Sequence, residues 1–343
     1  MKKKVSLIII CNFLICFIFI FSCNTQKFLY SSNNIYNFDE SNIKMQKAAL
    51  VLEGGSLRSV YTSGVLDVFM ENGIQFDLIV AVSAGALNAG NFVSNQIGRS
   101  AKINILHSDD SNYYGYKQLI FHRRAFNFEY IFYSPINDLY PYDEEALKNS
   151  KQRLMIATTN IETGNVEYFE RNTYDELVHV LQASSSIPLM SQPVDIEGNL
   201  YLDGAIADPI GLHKALSEEY EKVIVVLTNH AEYRMKQPSW FEKVMISFNN
   251  RKYPKLMETI RNRYLEYNLF IDEINEMEQN KQIFVIRPNH EINIKTMEKD
   301  ARKLIGLYFQ GRNDASILLP RMIEYIEQNS LVTNKMINND DVE

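Results

Sequence analysis

Ala48-Ala49-Leu50-Val51-Leu52-Glu53-Gly54-Gly55-Ser56-Leu57-Arg58 opens the stretch that decides the fold, and Phe76-Asp77-Leu78-Ile79-Val80-Ala81-Val82-Ser83-Ala84-Gly85 closes it. The apolar run 48–52 has the length and composition of a buried strand and stops at two glycines. Leu57, Val60, Tyr61, Gly64, Val65, Val68 and Phe69 then recur at helical spacing until Asn72-Gly73 ends the helix. Phe76 to Val82 is a second strand, Ser83 follows at once, and Ala84 to Val93 reads as a helix. Two strand–loop–helix units in succession predict an α/β fold with a parallel sheet covered by helices.

The same pattern resumes further along. Leu154–Thr158 and Val166–Phe169 read as strands around the turn Glu162-Thr163-Gly164-Asn165. Val194–Ile196 and Leu200–Leu202 flank Glu197-Gly198-Asn199, another hairpin signal. Thr173-x-x-Glu176 has the form of a capping box. Asp208-Pro209 suits a helix N-cap followed by proline at the first helical position. Val223–Leu227 is a further buried strand. The last third carries helical patterns near 240–250, 255–280, 295–308 and 313–328, with a strand at Ile283–Ile286 placed at the sheet. Residues 94–150 are rich in aromatics, including Tyr113, Tyr114, Phe121, Phe126 and Phe128. They read as a helical layer packed on the sheet, or as a lipid-facing wall or cap, with His122-Arg123-Arg124 among them as a solvated basic turn or, alternatively, a contact for anionic headgroups.

Working back to the N-terminus, Lys2, Lys3 and Lys4 precede an apolar run, Val5 to Phe21, of about 17 residues. This is the pattern of an export signal. Ile20-Phe21-Ser22-Cys23 resembles the lipobox of bacterial lipoproteins, in which the Cys is lipidated and becomes the new N-terminus. Phe21 departs from that pattern, so an uncleaved anchor and ordinary secretion stay as alternatives. Each places the rest of the chain outside the cytoplasm. Cys11 and Cys16 would leave with the signal, and no disulfide could form in the mature chain. The polar, Asn- and Ser-rich residues up to 46 read as a tether. The expected organisation is a signal at 1–22, a tether at 23–46, a core at 47–232 and a mainly helical extension at 233–335 packed on it.

Composition narrows the function classes. Apolar residues make up 46% and charged residues 22%, which excludes a disordered chain. Lys and Arg number 35 against 42 Asp and Glu, a net charge of −7, so nothing favours a nucleic-acid partner. Six His without an H-x-x-x-H pair argue against a zinc site.

The chemistry lies in three loops. Ala81-Val82-Ser83-Ala84-Gly85 is a nucleophile elbow with Ala81 in place of the first glycine, and it sets the Ser83 hydroxyl at a helix N-terminus. A plain helix N-cap is the alternative for Ser83. Gly54-Gly55-Ser56-Leu57-Arg58, also between strand and helix, frees backbone N–H groups to face a cavity. It is neither a P-loop nor a dinucleotide loop. Asp203, in Tyr201-Leu202-Asp203-Gly204-Ala205, ends a strand and can project into a cleft, or simply bond its own turn.

Taken in chain order, the glycine loop, the elbow and Asp203-Gly204-Ala205 resemble the bacterial patatin-like phospholipases. Ala183-Ser184-Ser185-Ser186-Ile187-Pro188-Leu189 and Val223 to Thr228 are also similar to that family. Leu307-Tyr308-Phe309-Gln310-Gly311 resembles the C-terminal extension of one of its subgroups. The resemblance covers roughly 48–228. Ser56 stands where the family has a third glycine, and Ala81 is the second departure.

The resemblance implies a three-layer α/β/α fold with a mostly parallel central sheet and hydrolysis of lipid acyl esters by a Ser–Asp dyad. Ser83 would be the nucleophile and Asp203 the proton acceptor. The N–H groups of Gly55 and Ser56, with Gly54 as a third candidate donor, would form the oxyanion hole. Arg58, Ala81, Gly85 and Gly204 would support them. It implies no cofactor and no metal. The substrate would be a membrane lipid or another acyl ester, met through the Cys23 anchor. A Ser-His-Asp esterase using His230 or His213, and a lipid-binding lipoprotein without catalysis, are the competing readings.

Overall fold

The computed structural model describes residues 43–133, 136–171, 177–239 and 252–328. The signal, Cys23, the tether up to residue 42, the capping box at Thr173 and Glu176, the helix expected at 240–250 and the chain after 328 lie outside the described residues. The described residues fall within one compact unit.

Strand β1 (Lys44–Leu52) leads through a short 3-10 turn (Ser56–Ser59) into helix α1 (Val60–Glu71). Strand β2 (Ile74–Val82) leads directly into α2 (Ala84–Val93). A run of short helices follows: α3 (Arg99–Leu106), α4 (Tyr116–His122), α5 (Phe128–Phe132), α6 (Ile136–Leu139) and α7 (Glu144–Asn149). Then come β3 (Arg153–Asn160), β4 (Val166–Glu170), α8 (Leu177–Ser184), β5 (Val194–Ile196) and β6 (Asn199–Asp203). Helix α9 (Leu212–Ser217), β7 (Val223–Val226), α10 (Pro254–Gln279), β8 (Phe284–Ile286) and α11 (Ala301–Glu327) complete the order.

The eight strands form one sheet in the order β5-β6-β3-β2-β1-β7-β8, with β4 also paired to β3. Strands β3, β2, β1, β7 and β8 run parallel, and β4, β5 and β6 join as an antiparallel margin. The architecture is the expected α/β one, mostly parallel and flanked by helices.

Alternation along the strands decides what each face buries. Ala49, Val51, Leu78, Val80, Val223 and Val225 pack with Leu212 and Ala215 of α9 and with Tyr267, Ile271 and Ile274 of α10. Helices α1, α2 and α11 pack together beside the sheet. There α1 and α11 cross backbone to backbone. A Cβ on Gly64 would lie 2.2 Å from the Tyr308 carbonyl oxygen, and one on Gly311 would lie 2.1 Å from that of Tyr61. Two reciprocal bonds flank the crossing: the Tyr61 hydroxyl donates to Asp314 at 2.9 Å, and the Tyr308 hydroxyl donates to Asp67 at 2.7 Å. Arg312 adds a two-point pair with Glu71.

Three expectations are corrected. Residues 44–46 belong to β1, not to a tether, and pair with Ile74 to Phe76 across a register shift. They are largely exposed, so no apolar pattern marks them. Asp208 does not cap α9. Its carboxylate accepts from the N–H groups of Ile210 and Gly211, turning the chain before a helix whose N-cap is Gly211 in the left-handed region. The helices expected at 295–308 and 313–328 are one helix, α11, beginning at Ala301. Gly311 does not break it, because that glycine is where α1 packs against it.

Candidate active site

Ser83 and Asp203 meet because two strands share one edge of a third. Strand β4 pairs with Met155 to Thr159, and both β2 and β6 overlap that span, so β2 and β6 must use the opposite edge of β3. Along that edge Val82 of β2 stands opposite Ala157, and Asp203 of β6 stands opposite the next residue, Thr158. One strand ends where the other, arriving from the opposite direction, ends too. The Ser83 hydroxyl donates to Asp203 Oδ2 at 2.7 Å, and both residues are buried.

The elbow is strained as such turns are. Ser83 has φ 54° and ψ −128°, a conformation that costs a non-glycine residue about 1–3 kcal/mol. Its neighbours hold it there. Its N–H donates to Ser184 Oγ at 2.9 Å, and its carbonyl accepts from Ala86 at 2.8 Å. Gly54 touches it so closely that a Cβ there would lie 2.9 Å from Ser83 Cβ. Ala81 sits fully buried within β2, paired to Leu52 and Ile156, and the elbow forms despite it. Gly85 leaves room for the carbonyls of Leu52 and Glu53, and Gly204 for that of Ala157. Ser83 occupies the N-cap position of α2, but its side chain makes no capping bond and goes to Asp203 instead.

Asp203 uses both carboxylate oxygens. Oδ1 accepts from the Ala205 N–H at 2.8 Å, which is the turn bond an Asp-Gly pair forms, while Oδ2 takes the Ser83 hydroxyl. Burial pushes its carboxyl up to about 6, against the pull of these two bonds and of the Arg263 charge. Its own carbonyl accepts from Thr159 Oγ1 at 2.9 Å.

The glycine loop faces the same point. Gly55 is extended and Ser56 takes a positive φ of 50°, where a glycine would sit without strain. No backbone acceptor takes the N–H of Gly55 or Ser56 among the described residues. The expectation for Gly54 needs correction, since its N–H points at the Pro209 carbonyl, 3.5 Å away. Behind the loop, buried Glu53 accepts from the N–H of Thr228 at 2.5 Å, its hydroxyl at 2.9 Å and the Tyr267 hydroxyl at 2.8 Å. Burial also raises the Glu53 carboxyl. Arg58 lies in this neighbourhood, with a buried Nε that has no hydrogen-bond partner.

An apolar cavity of about 40 Å³ opens beside Ser83, lined by Leu57, Leu87, Tyr113, Phe126 and Phe128 among others. The aromatic layer thus supplies part of the site wall. The histidines do not join the site. His213 Nε2 is bonded to Glu273 at 2.8 Å, and His230 packs edge-on to Tyr233. Among the described residues no group of three or more His, Cys, Asp or Glu could hold a metal ion.

Three contributors have no role assigned from sequence, although Ser184 and Thr228 lie in segments that resemble the family. Ser184 lies in a serine run whose members look alike until one of them bonds Ser83. Thr228 follows a strand as an ordinary polar residue. Arg263 sits in a long helix far along the chain, and its Nε donates to the Ala205 carbonyl at 2.6 Å. No local signal marks it.

Comparison with known proteins identifies the family of the central part of the chain. Residues 50–216 match the patatin-like phospholipase family, and residues 253–327 match a domain of unknown function, DUF6363. The chain is 25% identical over 276 residues to the uncharacterized protein YjjU of Escherichia coli (strain K12), covering 77% of each chain. Among solved structures, VipD from Legionella pneumophila aligns with a TM-score of 0.40 and 13% identity, covering 80% of this chain and 67% of that one.

Proposed function

From a chain whose residues 50–216 are a patatin-like phospholipase domain, we infer a serine hydrolase that cleaves carboxylic ester bonds of phospholipids or related lipids. The observation that carries this reading is the buried 2.7 Å bond from Ser83 to Asp203 at a strained elbow. Asp203 takes the proton as Ser83 Oγ attacks the ester carbonyl. The N–H groups of Gly55 and Ser56 stabilise the oxyanion that forms. The alcohol leaves with a proton returned by Asp203. Water then attacks the acyl-enzyme, with Asp203 as base again. The apolar lining of the cavity beside Ser83 suits the first carbons of an acyl group.

The deciding experiment is hydrolysis of a short-chain nitrophenyl ester and of phospholipid vesicles by the wild type, Ser83→Ala and Asp203→Ala. Products are followed by mass, and labelling by a fluorophosphonate is read in parallel. Loss of turnover in both variants, with an adduct on Ser83 of the wild type, supports the dyad. A folded wild type with neither turnover nor adduct would overturn it in favour of a lipid-binding role.

We also propose that the enzyme works outside the cytoplasm, held to a membrane through a lipidated Cys23. The basic, apolar and Ser22-Cys23 sequence of the first residues supports this. Mass analysis of the mature N-terminus, with Cys23→Ser as control, tests it.

A further inference from the structure

Helix α4 (Tyr116–His122) is built inside out. Its buried residue is polar: Gln118 is 4% exposed, and its amide donates to the carbonyls of Ser111 and Asn112. Its outward residues are large and apolar. Tyr116 is 71% exposed, Ile120 71% and Phe121 74%. Positions 116, 117, 120 and 121 share one helix face, so these three side chains form one patch with Lys117. A core-facing helix has the opposite pattern.

The charge around the patch is also against the trend of the chain. Lys117 and Arg123 are exposed within or beside the helix, in a protein of net charge −7. Apolar side chains flanked by cations are what an anionic bilayer surface accepts: the apolar groups enter the headgroup boundary and the cations meet phosphates.

The patch continues into the candidate active site. Gly115 and Ala125 close the α4 segment with a backbone bond, and Tyr114 bridges to Phe126. Tyr113 and Phe126, at the two ends of this segment, line the cavity beside Ser83. On the other side the Ala125 N–H donates to the Met190 carbonyl. That bond ties the segment to the loop whose Ser185 and Ile187 also line the cavity.

We propose that α4 is a membrane-docking element: Tyr116, Ile120 and Phe121 enter an anionic lipid surface, Lys117 and Arg123 bind its phosphates, and the cavity beside Ser83 is thereby held at the lipid. The proposal concerns binding, so it stands or falls separately from the Ser83 chemistry.

The test uses residues 41–343, which hold all the described residues without the N-terminal segment, in co-sedimentation with vesicles. One set contains phosphatidylglycerol and phosphatidylcholine, the other phosphatidylcholine alone. The wild type is expected to bind the anionic vesicles and bind neutral ones more weakly. The double variant Ile120→Asp/Phe121→Asp is expected to bind about tenfold more weakly. Lys117→Glu/Arg123→Glu is expected to lose the preference for anionic vesicles. All these side chains are exposed, so circular dichroism, thermal unfolding and turnover of a soluble short-chain ester should match the wild type. Binding by the double Asp variant equal to the wild type would overturn the proposal, as would a wild type that ignores anionic vesicles. A wild type that is dimeric in sedimentation, with a monomeric Asp variant, would instead make the patch a contact between copies and also overturn it.

Discussion

Ser83 and Asp203 sit end to end along one edge of β3, Ser83 directly after Val82 opposite Ala157, and Asp203 opposite Thr158. Their 2.7 Å bond is therefore set by backbone register rather than by loop conformation. Register leaves little room for a longer side chain. Asp203→Glu keeps the carboxylate but moves it by one methylene in a packed site. Turnover of a soluble ester should fall about a hundredfold, since a displacement near 1 Å at reacting atoms costs that much. Wild-type turnover in this variant would show that the register does not control the chemistry.

Burial raises the Asp203 carboxyl to about 6, and this has consequences of opposite sign for activity and stability. The base must be ionised, so kcat/KM should rise from the acid side with a midpoint near 6 and level off above it. For folding the sign reverses. A carboxyl whose folded value is raised favours the native state at low pH, and that advantage is lost as the pH rises through about 6. Asp203→Asn removes the buried charge. It should abolish turnover and yet stabilise the protein by up to about 3 kcal/mol at about pH 8, less below pH 6. Thermal unfolding of both proteins at the two pH values reads this directly.

Gly55 is pressed against Thr228. A Cβ on Gly55 would lie 2.6 Å from Thr228 Oγ1, which is held by Glu53. Gly55→Ala must therefore push the loop and its N–H groups out of place. Turnover should fall by about 10²–10³, the cost of losing an oxyanion donor, and fluorophosphonate labelling of Ser83 should slow with it. Unchanged labelling would mean that this loop does not face the oxyanion.

Much of this site was legible because its parts are local. An apolar run of the right length, a helical repeat and a glycine at a sharp turn each leave a mark within ten residues. This holds for β1, β2, the elbow and the hairpin before Asp203. What escaped depends on contacts across the chain. Lys44 to Gln46 are strand only because β2 lies beside them. Gly311 is a packing contact rather than a helix stop only because Tyr61 lies against it. Asp208 looked like a cap because local chemistry offers it two uses, and the packing of Gly211 against Val80 selects the turn. Arg263 is one of two arginines in its helix until the fold brings Ala205 to it.

That arginine can be tested through its effect on another group. Arg263 holds the Ala205 carbonyl, and its charge lowers the Asp203 carboxyl. Arg263→Met removes both. The acid limb of the pH–rate profile should then move to higher pH, with a lower plateau. Arg263→Lys keeps the charge and should show a smaller displacement of the limb. A lower plateau without any displacement would assign Arg263 to holding the loop alone.

The last helix offers a comparison of sign within one element. Gly306 and Gly311 both lie inside α11, where alanine is intrinsically favoured by about 1 kcal/mol. Around Gly306 nothing lies within 4 Å of the added Cβ, so Gly306→Ala should stabilise by about 0.5–1 kcal/mol. At Gly311 the Cβ would meet the Tyr61 carbonyl oxygen at 2.1 Å. Backbone cannot rotate away as a side chain can, so α1 and α11 must separate. That separation would strain the bonds Tyr61–Asp314 and Tyr308–Asp67. The overpacking cost of about 1–3 kcal/mol or more exceeds the gain in helix propensity. Gly311→Ala should therefore lower the melting temperature while Gly306→Ala raises it. Equal shifts in the two variants would mean that the α1–α11 crossing is looser than these contacts describe.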